Sequence, residues 1–501
     1  MKRPRIDVNL PELDQLLDQA CEAPLSQNDS AKIKSALHAL ADVLAASRNS
    51  EKARDVLPEP PKQEPVTPDK PKEKAAGHGR NAAARYEGAR KVAVAHPELK
   101  HGCRCPECES GNVYGQKEPR PLVRIVGQVP LQATVYELER LRCNGCGQVF
   151  VAPEPEGVGA EKFDETAGAM IAQLKYGSGM PFARIEKLET MLGIPLPAST
   201  QWEVVEEVAE IVKPALEELT RQAADGEVVH NDDTGMRVLK MERPAGDKRT
   251  GVFTSGIVSV GDGRRIALYF TGREHAGENL AEVLRHRAAG LPAVVQMCDA
   301  LSRNAPKLSE GVELLLANCM AHGRRQFVDV ADSFPEDCKF VLETLGGVYL
   351  NDAQARRNKL TKAERLLFHQ ERSGPLMKSL HDWFERQPAE RTVEPNSGLG
   401  KAIQYFLRHW KALTLFLREP GAPLDNNVCE RALKRAVLHR KNALFYRTLH
   451  GAEVGDLFMS LIHTCELNGV NSFDYLVALQ RNAVALATAP ANWMPWNFRG
   501  S

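Results

Sequence analysis

The sequence predicts a multidomain α+β protein, and three observations carry this prediction. Two Cys-x-x-Cys pairs follow a Pro-rich stretch, the hydrophobic pattern changes from helical spacing to alternation near Glu227, and long helical segments come after the alternating part. At 501 residues the chain is too long for one ordinary hydrophobic core. We therefore expect several folded parts in series.

The composition narrows the class of protein. Hydrophobic residues make up 43% and charged residues 26%, which is normal for a globular protein. Lys plus Arg equal Asp plus Glu at 65 each, so net charge gives no argument for nucleic-acid binding. The N-terminus has no apolar signal region, and no apolar run approaches the roughly 18 residues of a membrane span. We expect a cytoplasmic protein without membrane contact, whose eleven cysteines are metal ligands or buried thiols rather than disulfides.

The N-terminal part is predicted to be helical and then extended. Residues 1–56 carry Leu and Ile at helical spacing, which fits a short coiled coil with a second copy or an ordinary helical hairpin equally well. The segment 57–95 begins with LPEPPKQEPVTPDKPKEKAA, whose prolines and lack of apolar residues indicate a linker that becomes basic. A homo-oligomer is thus expected but not specified.

Two cysteine pairs predict a structural zinc ion in the region 96–155. Two cysteines that flank a tight turn can face one tetrahedral zinc ion, and a second such turn completes the four ligands. The alternative is four free thiols. The predicted zinc ligands are Cys105, Cys108, Cys143 and Cys146.

The segment between the cysteine pairs predicts a β-hairpin and hence a zinc ribbon. Leu122 to Val129 and Leu131 to Arg142 are rich in β-branched residues and are separated by Pro130. Cys103 could replace one of the four ligands, because it lies two residues before Cys105.

Residues 156–224 read as three helices. Pro181 opens the second, and Gly193-Ile194-Pro195 ends it. Helix, turn and helix is the outline of a helix-turn-helix, in which Ser199-Thr200-Gln201 would head the recognition helix. A plain helical connector is at least as good an interpretation, because the third helix is acidic.

Residues 225–450 are predicted to form the catalytic domain. EVVHNDDTGMRVL, GVFTSGIVSV and RRIALYF read as three antiparallel strands, with a tight turn at Gly261-Asp262-Gly263. AGENLAEVLRHR reads as a helix and AVVQMCDA as a buried fourth strand. Three strands, a helix and a fourth strand is the order of a ribonuclease-H-like fold.

Two acids occupy the positions where that order needs carboxylates. Asp232 lies in the first strand and Asp299 at the end of the fourth. Because side chains alternate along a strand, either Asp232 or Asp233 can point with Asp299, and we choose Asp232. Taken alone, Asp233 could belong to a turn and Asp299 could cap a helix.

The third carboxylate is expected after a helical insertion. Leu308 to about Gln387 reads as helices throughout, placed before any fifth strand and extending to about 394. LDNNVCERALKRAVLHRKN then reads as a helix with Asp425 as its N-cap, and Glu430 lies on it. Residues 451–501 are expected to form a C-terminal helical region and tail.

Cations follow Glu430 without an intervening acid. Six positive residues lie between Arg431 and Arg447. We interpret them as a surface for the DNA backbone, and the alternative is a solvated basic face. The residues predicted to bind DNA are Arg431, Lys434, Arg435, Arg440 and Lys441 on this helix, with Arg324 and Arg325 from an earlier segment.

Three carboxylates are hard ligands that suit Mg²⁺ or Mn²⁺. Two such ions can activate a water or a 3′-hydroxyl on one side of a phosphate and stabilise the leaving oxygen on the other. Asp232, Asp299 and Glu430 are therefore predicted to be both the metal ligands and the catalytic residues.

Several motifs resemble the transposases of the insertion-sequence-sixty-six (IS66) family. The resemblance lies in the two cysteine pairs and in four further segments. These are His230-Asn231-Asp232-Asp233-Thr234, CMAHGRRQF from Cys319 to Phe327, DNNVCERAL from Asp425 to Leu433, and LIHTCELNGV from Leu461 to Val470.

The resemblance implies a DDE transposase of a bacterial insertion sequence, with a ribonuclease-H-like domain, a zinc finger and an N-terminal leucine-zipper-like region. It implies cutting of transposon ends, joining to target DNA, and possible use of helper proteins of the element. The chain departs from the family's usual Asp-Glu-Thr at Asp232-Asp233-Thr234 and from its usual Asp-Gly-Tyr at Asp299-Ala300-Leu301. Two rival interpretations are a DNA-binding regulator with an inert domain and a nuclease that does not join strands.

Overall fold

The computed structural model describes residues 91–116, 122–125, 129–144, 146, 148–159, 161–241, 249–308 and 311–498. The predicted N-terminal helices and nearly all of the predicted linker lie outside these residues. The chain divides into two compact units, one formed by Pro61–Pro130 and the other by the rest. Each unit is described by itself below.

The smaller unit contains the first cysteine pair on a tight turn. The Cys105 N–H donates to the Gly111 carbonyl at 2.8 Å, and the Glu109 N–H donates to the Cys105 carbonyl at 3.0 Å. An isolated antiparallel bridge between Arg104 and Asn112 closes the turn. The backbone there makes a knuckle of the kind that two metal-binding cysteines require.

The second cysteine pair, in the larger unit, is enclosed by a short hairpin. Strands β1 (Arg140–Arg142) and β2 (Val149–Val151) pair antiparallel, and the Cys143 N–H donates to the Gln148 carbonyl at 2.9 Å. The predicted hairpin between 122–129 and 131–142 was therefore wrong, and the described residues 122–125 and 132–139 contain no strand. The pairing forms locally around the cysteine turn instead, where the closing loop is shortest.

Three helices follow, as predicted. They are α1 (Glu165–Ala172), continued by a π-helical turn at Gln173–Gly177, α2 (Phe182–Met191) and α3 (Ala198–Ala224). The proposed head of a recognition helix does not suit DNA binding, because Gln201 is fully buried and donates to the carbonyls of Phe182 and Leu196. The apolar face of α3 lies in the main hydrophobic core, which agrees with the alternative of a structural connector.

A mixed five-stranded sheet forms the centre of the larger unit. From one edge to the other, its strands are β6 (Arg264–Gly272), β5 (Phe253–Gly261), β3 (Val228–Gly235), β7 (Val294–Cys298) and β8 (Leu314–Asn318). Neighbours β6, β5 and β3 are antiparallel, whereas β3, β7 and β8 are parallel. The predicted three strands, helix and fourth strand are all present. Their bounds, with a short additional strand β4, are β3 Val228–Gly235, β4 Val238–Lys240, β5 Phe253–Gly261, β6 Arg264–Gly272, α4 Ala276–Leu284 and β7 Val294–Cys298.

The fifth strand, β8 (Leu314–Asn318), corrects one expectation. We expected helices from Leu308 onwards and no fifth strand before them. LLLAN contains a run of only four apolar residues, which periodicity cannot assign to helix or strand. The segment pairs parallel with β7 along its whole length and is therefore a strand.

The helical insertion therefore begins after β8 and runs to the helix that carries Glu430. Its first helices bury a second hydrophobic core with one face of β7 and β8. Strand β9 pairs parallel with β4. The remaining elements are α5 Met320–Val330, α6 Pro335–Arg357, α7 Lys362–Arg372, α8 Gly374–Ala389, α9 Gly398–Leu413, α10 Asn427–Ala443, β9 Tyr446–Thr448, α11 Leu449–Leu467, α12 Ser472–Arg481 and α13 Ala483–Thr488.

Helix α11 covers the open edge of the sheet with a polar stripe. The side chains of Asp456, Ser460, Thr464 and Asn468 recur every four residues. They accept the N–H groups of alternate β6 residues, namely Thr271, Tyr269, Ala267 and Arg265. An unpaired strand edge is prone to aggregate, and this stripe satisfies it within the chain. Among the described helices, none is long and apolar enough to cross a membrane.

Candidate active site

Asp232 and Asp299 occupy equivalent positions on neighbouring parallel strands. His230 of β3 lies opposite Met297 of β7, and each acid comes two residues further along its own chain. Because the strands run in the same direction, both carboxylates emerge at the carboxyl end of the sheet. Asp232 and Asp299 are both half-buried.

Asn304 links the two acids. Its amide nitrogen donates to the Asp299 carboxylate and lies 3.5 Å from Asp232 Oδ1. The Asn304 carbonyl accepts the side-chain N–H groups of Asn231 at 2.9 Å and Gln296 at 2.7 Å. The loop after β7 therefore folds back onto the sheet, and its fully buried asparagine sets the position of both carboxylates.

Asp233 points to the opposite face of β3, as strand alternation predicts. Its carboxylate has no exposed surface and lies 2.8 Å from His275 Nδ1 and 3.3 Å from the Arg303 guanidinium. The Asp233 N–H donates to Asp232 Oδ1 at 2.8 Å. Asp233 thus makes its side-chain contacts on the face of the sheet opposite to Asp232.

Glu430 lies on the first turn of α10, on the face of the sheet that Asp232 faces. Asn426, the residue before this helix, fixes the helix to β3. Its side chain contacts His230 Nδ1 at 3.1 Å and donates to the Asn231 carbonyl at 3.1 Å. The Asn426 carbonyl accepts the Glu430 N–H at 3.0 Å. Asn426 therefore fixes the first turn of α10, and with it Glu430, relative to β3.

A glycine lets α10 approach the sheet. Gly256 of β5 is the cross-strand partner of Asp232. A Cβ at Gly256 would lie 2.9 Å from a terminal carbon of Leu433 and 3.6 Å from Cys429 Sγ. Cys429 also donates its S–H to the Gly256 carbonyl at 3.2 Å. The helix with Glu430 is therefore seated against a strand that has no side chain at this point.

Two clusters of three potential metal-ligating side chains occur among the described residues, with ligand atoms within 4.8 Å of one another. One joins Glu430 to Cys319 and His322, and His322 Nδ1 lies 3.8 Å from Glu430 Oε1. The other, His381, Asp382 and Glu385, lies along helix α8. The three predicted acids are thus arranged as the pair Asp232 and Asp299, linked by Asn304, and as Glu430 beside His322.

The electrostatics indicate that negative charge is poorly compensated here. Burial raises the pKa of Asp232 to about 6, and the Asp299 carboxylate adds to the rise, whereas the Asp233 N–H and His322 oppose it. Burial also lowers the pKa of His230 to about 4, so this histidine is neutral where it contacts Asn426. A divalent cation would favour the charged form of Asp232, and carboxylates placed close together suit such an ion.

A cleft of about 350 Å³ opens beside Asp299 and His322. Arg325 and Tyr405 also contribute to its lining. Of the predicted DNA-binding residues, Arg325, Arg431, Lys434 and Lys441 are exposed, and Arg324 is half-buried.

The predicted DNA-binding residues Arg435 and Arg440 have structural partners within the chain. Arg435 forms an ion pair with Glu466 of α11 and has a side chain only 19% exposed. Arg440 donates to Thr234 Oγ1 at 3.1 Å and to the Gly235 carbonyl, both at the end of β3. These two arginines attach α10 to its surroundings.

The two cysteine pairs lie in different compact units, Cys105 and Cys108 in one and Cys143 and Cys146 in the other. Backbone N–H groups of Gly111 and Ser110, with smaller contributions from side chains, lower the pKa of Cys108 to about 7. A lowered pKa favours the thiolate, which is the form that binds metal.

Sequence reasoning missed the contacts that Asn304, Asn426 and His322 make with or beside the three acids. Asn304 is an isolated residue in a loop with no local pattern around it. Asn426 and His322 both lie in motifs that the sequence had singled out, so those motifs were the available signal. These contacts could not be predicted because they join residues far apart in sequence, up to 196 positions for Asn426 and His230.

Comparisons with known proteins give one family and several relatives. The family model described as "Transposase IS66 family" matches residues 162–454. An uncharacterized protein of Sinorhizobium fredii, y4jD, is 28% identical over 84% of this chain and 84% of its own length. Another uncharacterized protein of that organism, y4hP, is 25% identical over 74% of this chain and 69% of its own length.

Proposed function

The chain belongs to the IS66 family of transposases, and from this premise we propose that it cuts the ends of a DNA element and joins them to target DNA. From the same family membership we propose that the chain binds DNA and uses a divalent metal ion as cofactor. The observation that carries the proposal is the pairing of Asp232 and Asp299 through Asn304 at the carboxyl end of the sheet. We assign the catalytic role to Asp232, Asp299 and Glu430.

A ribonuclease-H-like core is the fold that we propose for 225–450. The sheet order β6-β5-β3-β7-β8 supports it, since three antiparallel strands are followed by two parallel ones. The helical insertion after β8 returns Glu430 to the face that Asp232 shares with Gly256. This arrangement accounts for three acids so widely spaced in sequence.

The residues of the site fit a pair of Mg²⁺ or Mn²⁺ ions. The donors are carboxylate oxygens, which suit these ions. Burial, and then the neighbouring Asp299 and Asp233 carboxylates, raise the pKa of Asp232, and a bound cation would favour its charged form. Asp232, Asp299 and Glu430 would hold the ions. When bound, they would activate the attacking oxygen and stabilise the leaving oxygen of a phosphodiester.

The remaining residues position these acids and the DNA. The Asn304 amide keeps Asp299 oriented, and the N–H of Asp233 keeps Asp232 oriented. The hydrogen bond from Asn426 to the Asn231 carbonyl attaches the first turn of α10 to β3, and this turn carries Glu430. Arg325 lines the cleft, and Arg431, Lys434 and Lys441 are exposed on α10, so these residues would supply charge for phosphate contacts.

We propose further that Cys105, Cys108, Cys143 and Cys146 bind one structural Zn²⁺. The turn geometry of each pair and the lowered pKa of Cys108 support this. Metal analysis of the purified chain tests it: Cys108→Ser and Cys146→Ser should each lose zinc, whereas Cys103→Ser should keep it. Zinc loss in Cys103→Ser would make Cys103 a ligand instead.

Cleavage and joining can be tested separately. With Mg²⁺, the chain should cut duplex DNA that carries the ends of its own element and join pre-cut 3′-hydroxyl ends to a plasmid, and Glu430→Gln should do neither. Cutting without joining would identify a nuclease. DNA binding with equal, background cleavage in both proteins would identify a regulator with an inert domain. The same DNA complexes, sized by light scattering, would reveal a homo-oligomer, and addition of the element's other proteins would reveal helpers.

A further inference from the structure

His322 lies beside Glu430 and has no role in the account above. We propose that His322 and Glu430 together hold one of the divalent cations, through imidazole Nδ1 and a carboxylate oxygen. The site therefore accepts a transition ion such as Mn²⁺ more readily than an all-carboxylate site does. This inference rests on the proposed function in assigning Glu430 to the metal site.

The distance between the two groups fits a shared ion. His322 Nδ1 lies 3.8 Å from Glu430 Oε1. A divalent ion about 2.1 Å from each atom can therefore lie between them. The same separation is too long for a hydrogen bond.

The His322 Nδ1 atom makes no hydrogen bond with any described residue. It is also shielded from solvent. A buried polar atom without a partner is costly, and native structures usually have a reason for it. An ion at this position would supply the missing interaction.

The backbone holds the two ligands in a fixed relation. The Asn426 N–H donates to Cys319 Sγ at 3.2 Å, and the Met320 N–H donates to the Leu424 carbonyl at 3.0 Å. These bonds tie the start of α5, which carries His322, to the start of α10, which carries Glu430. Cys319 is fully buried beneath them, and it acts as a hydrogen-bond acceptor.

The packing of α5 restricts His322 further. A Cβ at the neighbouring Gly323 would lie 2.6 Å from the ring of Phe406. Helix α5 is thus pressed against α9 at this turn, and the histidine projects towards the cleft that Asp299 also lines.

A nitrogen ligand changes the choice of metal. Mg²⁺ prefers oxygen ligands, whereas imidazole favours first-row transition ions. The ratio of Mn²⁺ to Mg²⁺ affinity is therefore the property that distinguishes His322 as a ligand from His322 as a structural residue.

Mn²⁺ titration of the full chain, followed by electron paramagnetic resonance of the free ion, tests this inference. His322→Ala should weaken one Mn²⁺ site by at least about tenfold. His322→Asn retains an oxygen at the Nδ1 position, so it should bind metal but favour Mg²⁺ relative to the wild type. Gln326→Ala, one turn further on α5 and lining the same cleft, should bind Mn²⁺ as the wild type does.

Two results would overturn the inference. Either His322→Ala binds Mn²⁺ with unchanged affinity and stoichiometry, or a folded His322→Asn keeps the wild-type ratio of Mn²⁺ to Mg²⁺ affinity. Loss of Mn²⁺ in His322→Ala, together with a wild type that never cuts DNA, would support the metal site and reject the transposase function. Unchanged Mn²⁺ binding in a chain that cuts and joins DNA would reject the role of His322 alone.

Discussion

Asn426 Oδ1 lies 3.1 Å from His230 Nδ1, and this contact joins the helix of Glu430 to the strand of Asp232. Both side chains are buried, and the pKa of His230 is lowered to about 4 by burial, so its neutral ring donates to the Asn426 oxygen. The proposed active site thus depends on an asparagine that holds two separate elements in register.

Replacing Asn426 by alanine should damage both stability and cleavage. Two buried groups, His230 Nδ1 and the Asn231 carbonyl, would lose their partner, at a cost of about 1–3 kcal/mol. Because Glu430 would be less well positioned, we expect DNA cleavage to fall by roughly 10–100-fold. Urea unfolding and a cleavage assay measure the two effects. Asn427→Ala is the adjacent control, and an equal loss in both variants would contradict a specific role for Asn426.

Gly256→Ala should push helix α10 away from the sheet. The new Cβ would lie 2.9 Å from the Leu433 side chain, and overpacking of this kind costs roughly 1–3 kcal/mol. The matched control is Gly346→Ala within helix α6, where a Cβ meets nothing within 4 Å. There the substitution should be stabilising by about 1 kcal/mol. Thermal unfolding of both variants checks this, and equal stabilities would show that α10 is not seated as described.

Asp456 should make stability depend on pH in the opposite sense from an acid whose pKa is lowered by folding. Burial raises its pKa to about 7, against an ordinary value of 3.8. The folded chain therefore binds this proton more tightly, so the contribution is complete below about pH 4 and is lost as the pH rises through 7. Relative to Asp456→Asn, wild-type stability should decline by on the order of 2 kcal/mol from pH 5.5 to 8.5. Urea unfolding at several pH values measures it, and parallel curves would contradict the shift.

Neighbouring cations on α10 should behave differently. Lys434 is exposed, so Lys434→Ala should weaken DNA binding and reduce the salt slope by about one. Arg435 is paired with Glu466, so Arg435→Ala should mainly lower the melting temperature. Binding measured across a series of salt concentrations, with melting curves, separates the two. The expectation fails if Arg435→Ala changes the slope and Lys434→Ala does not.

Alternation and helical spacing were sufficient to predict β3, β5, β6, α4 and β7, because each of these elements has one buried face or a fully buried run. The same reasoning failed for Leu314–Asn318, whose apolar run is too short to show a period. It also misplaced the hairpin around Cys143, where the pairing partner lies after the cysteines rather than before them. Both errors concern short strands, whose pairing is decided by tertiary neighbours.

The candidate site was predictable in part. Strand alternation predicted that Asp232 and Asp233 point to opposite faces of β3. The Asp233 carboxylate contacts His275 and Arg303 on its own face. Sequence could not assign Asn304, because its contact with Asp232 spans 72 residues and depends on how the loop after β7 folds back. It also could not tell that Arg435 is held within the chain, since its partner Glu466 lies on another helix.

The most direct test of the central proposal is Mg²⁺-dependent cleavage of DNA carrying the ends of the element, by three single variants. Asp232→Asn, Asp299→Asn and Glu430→Gln should each lose more than about 100-fold in rate while remaining folded. Asp332→Asn, which alters an exposed acid on the loop after α5, should cut as the wild type does. Wild-type cleavage by any of the three variants would contradict the assignment of that carboxylate to the active site.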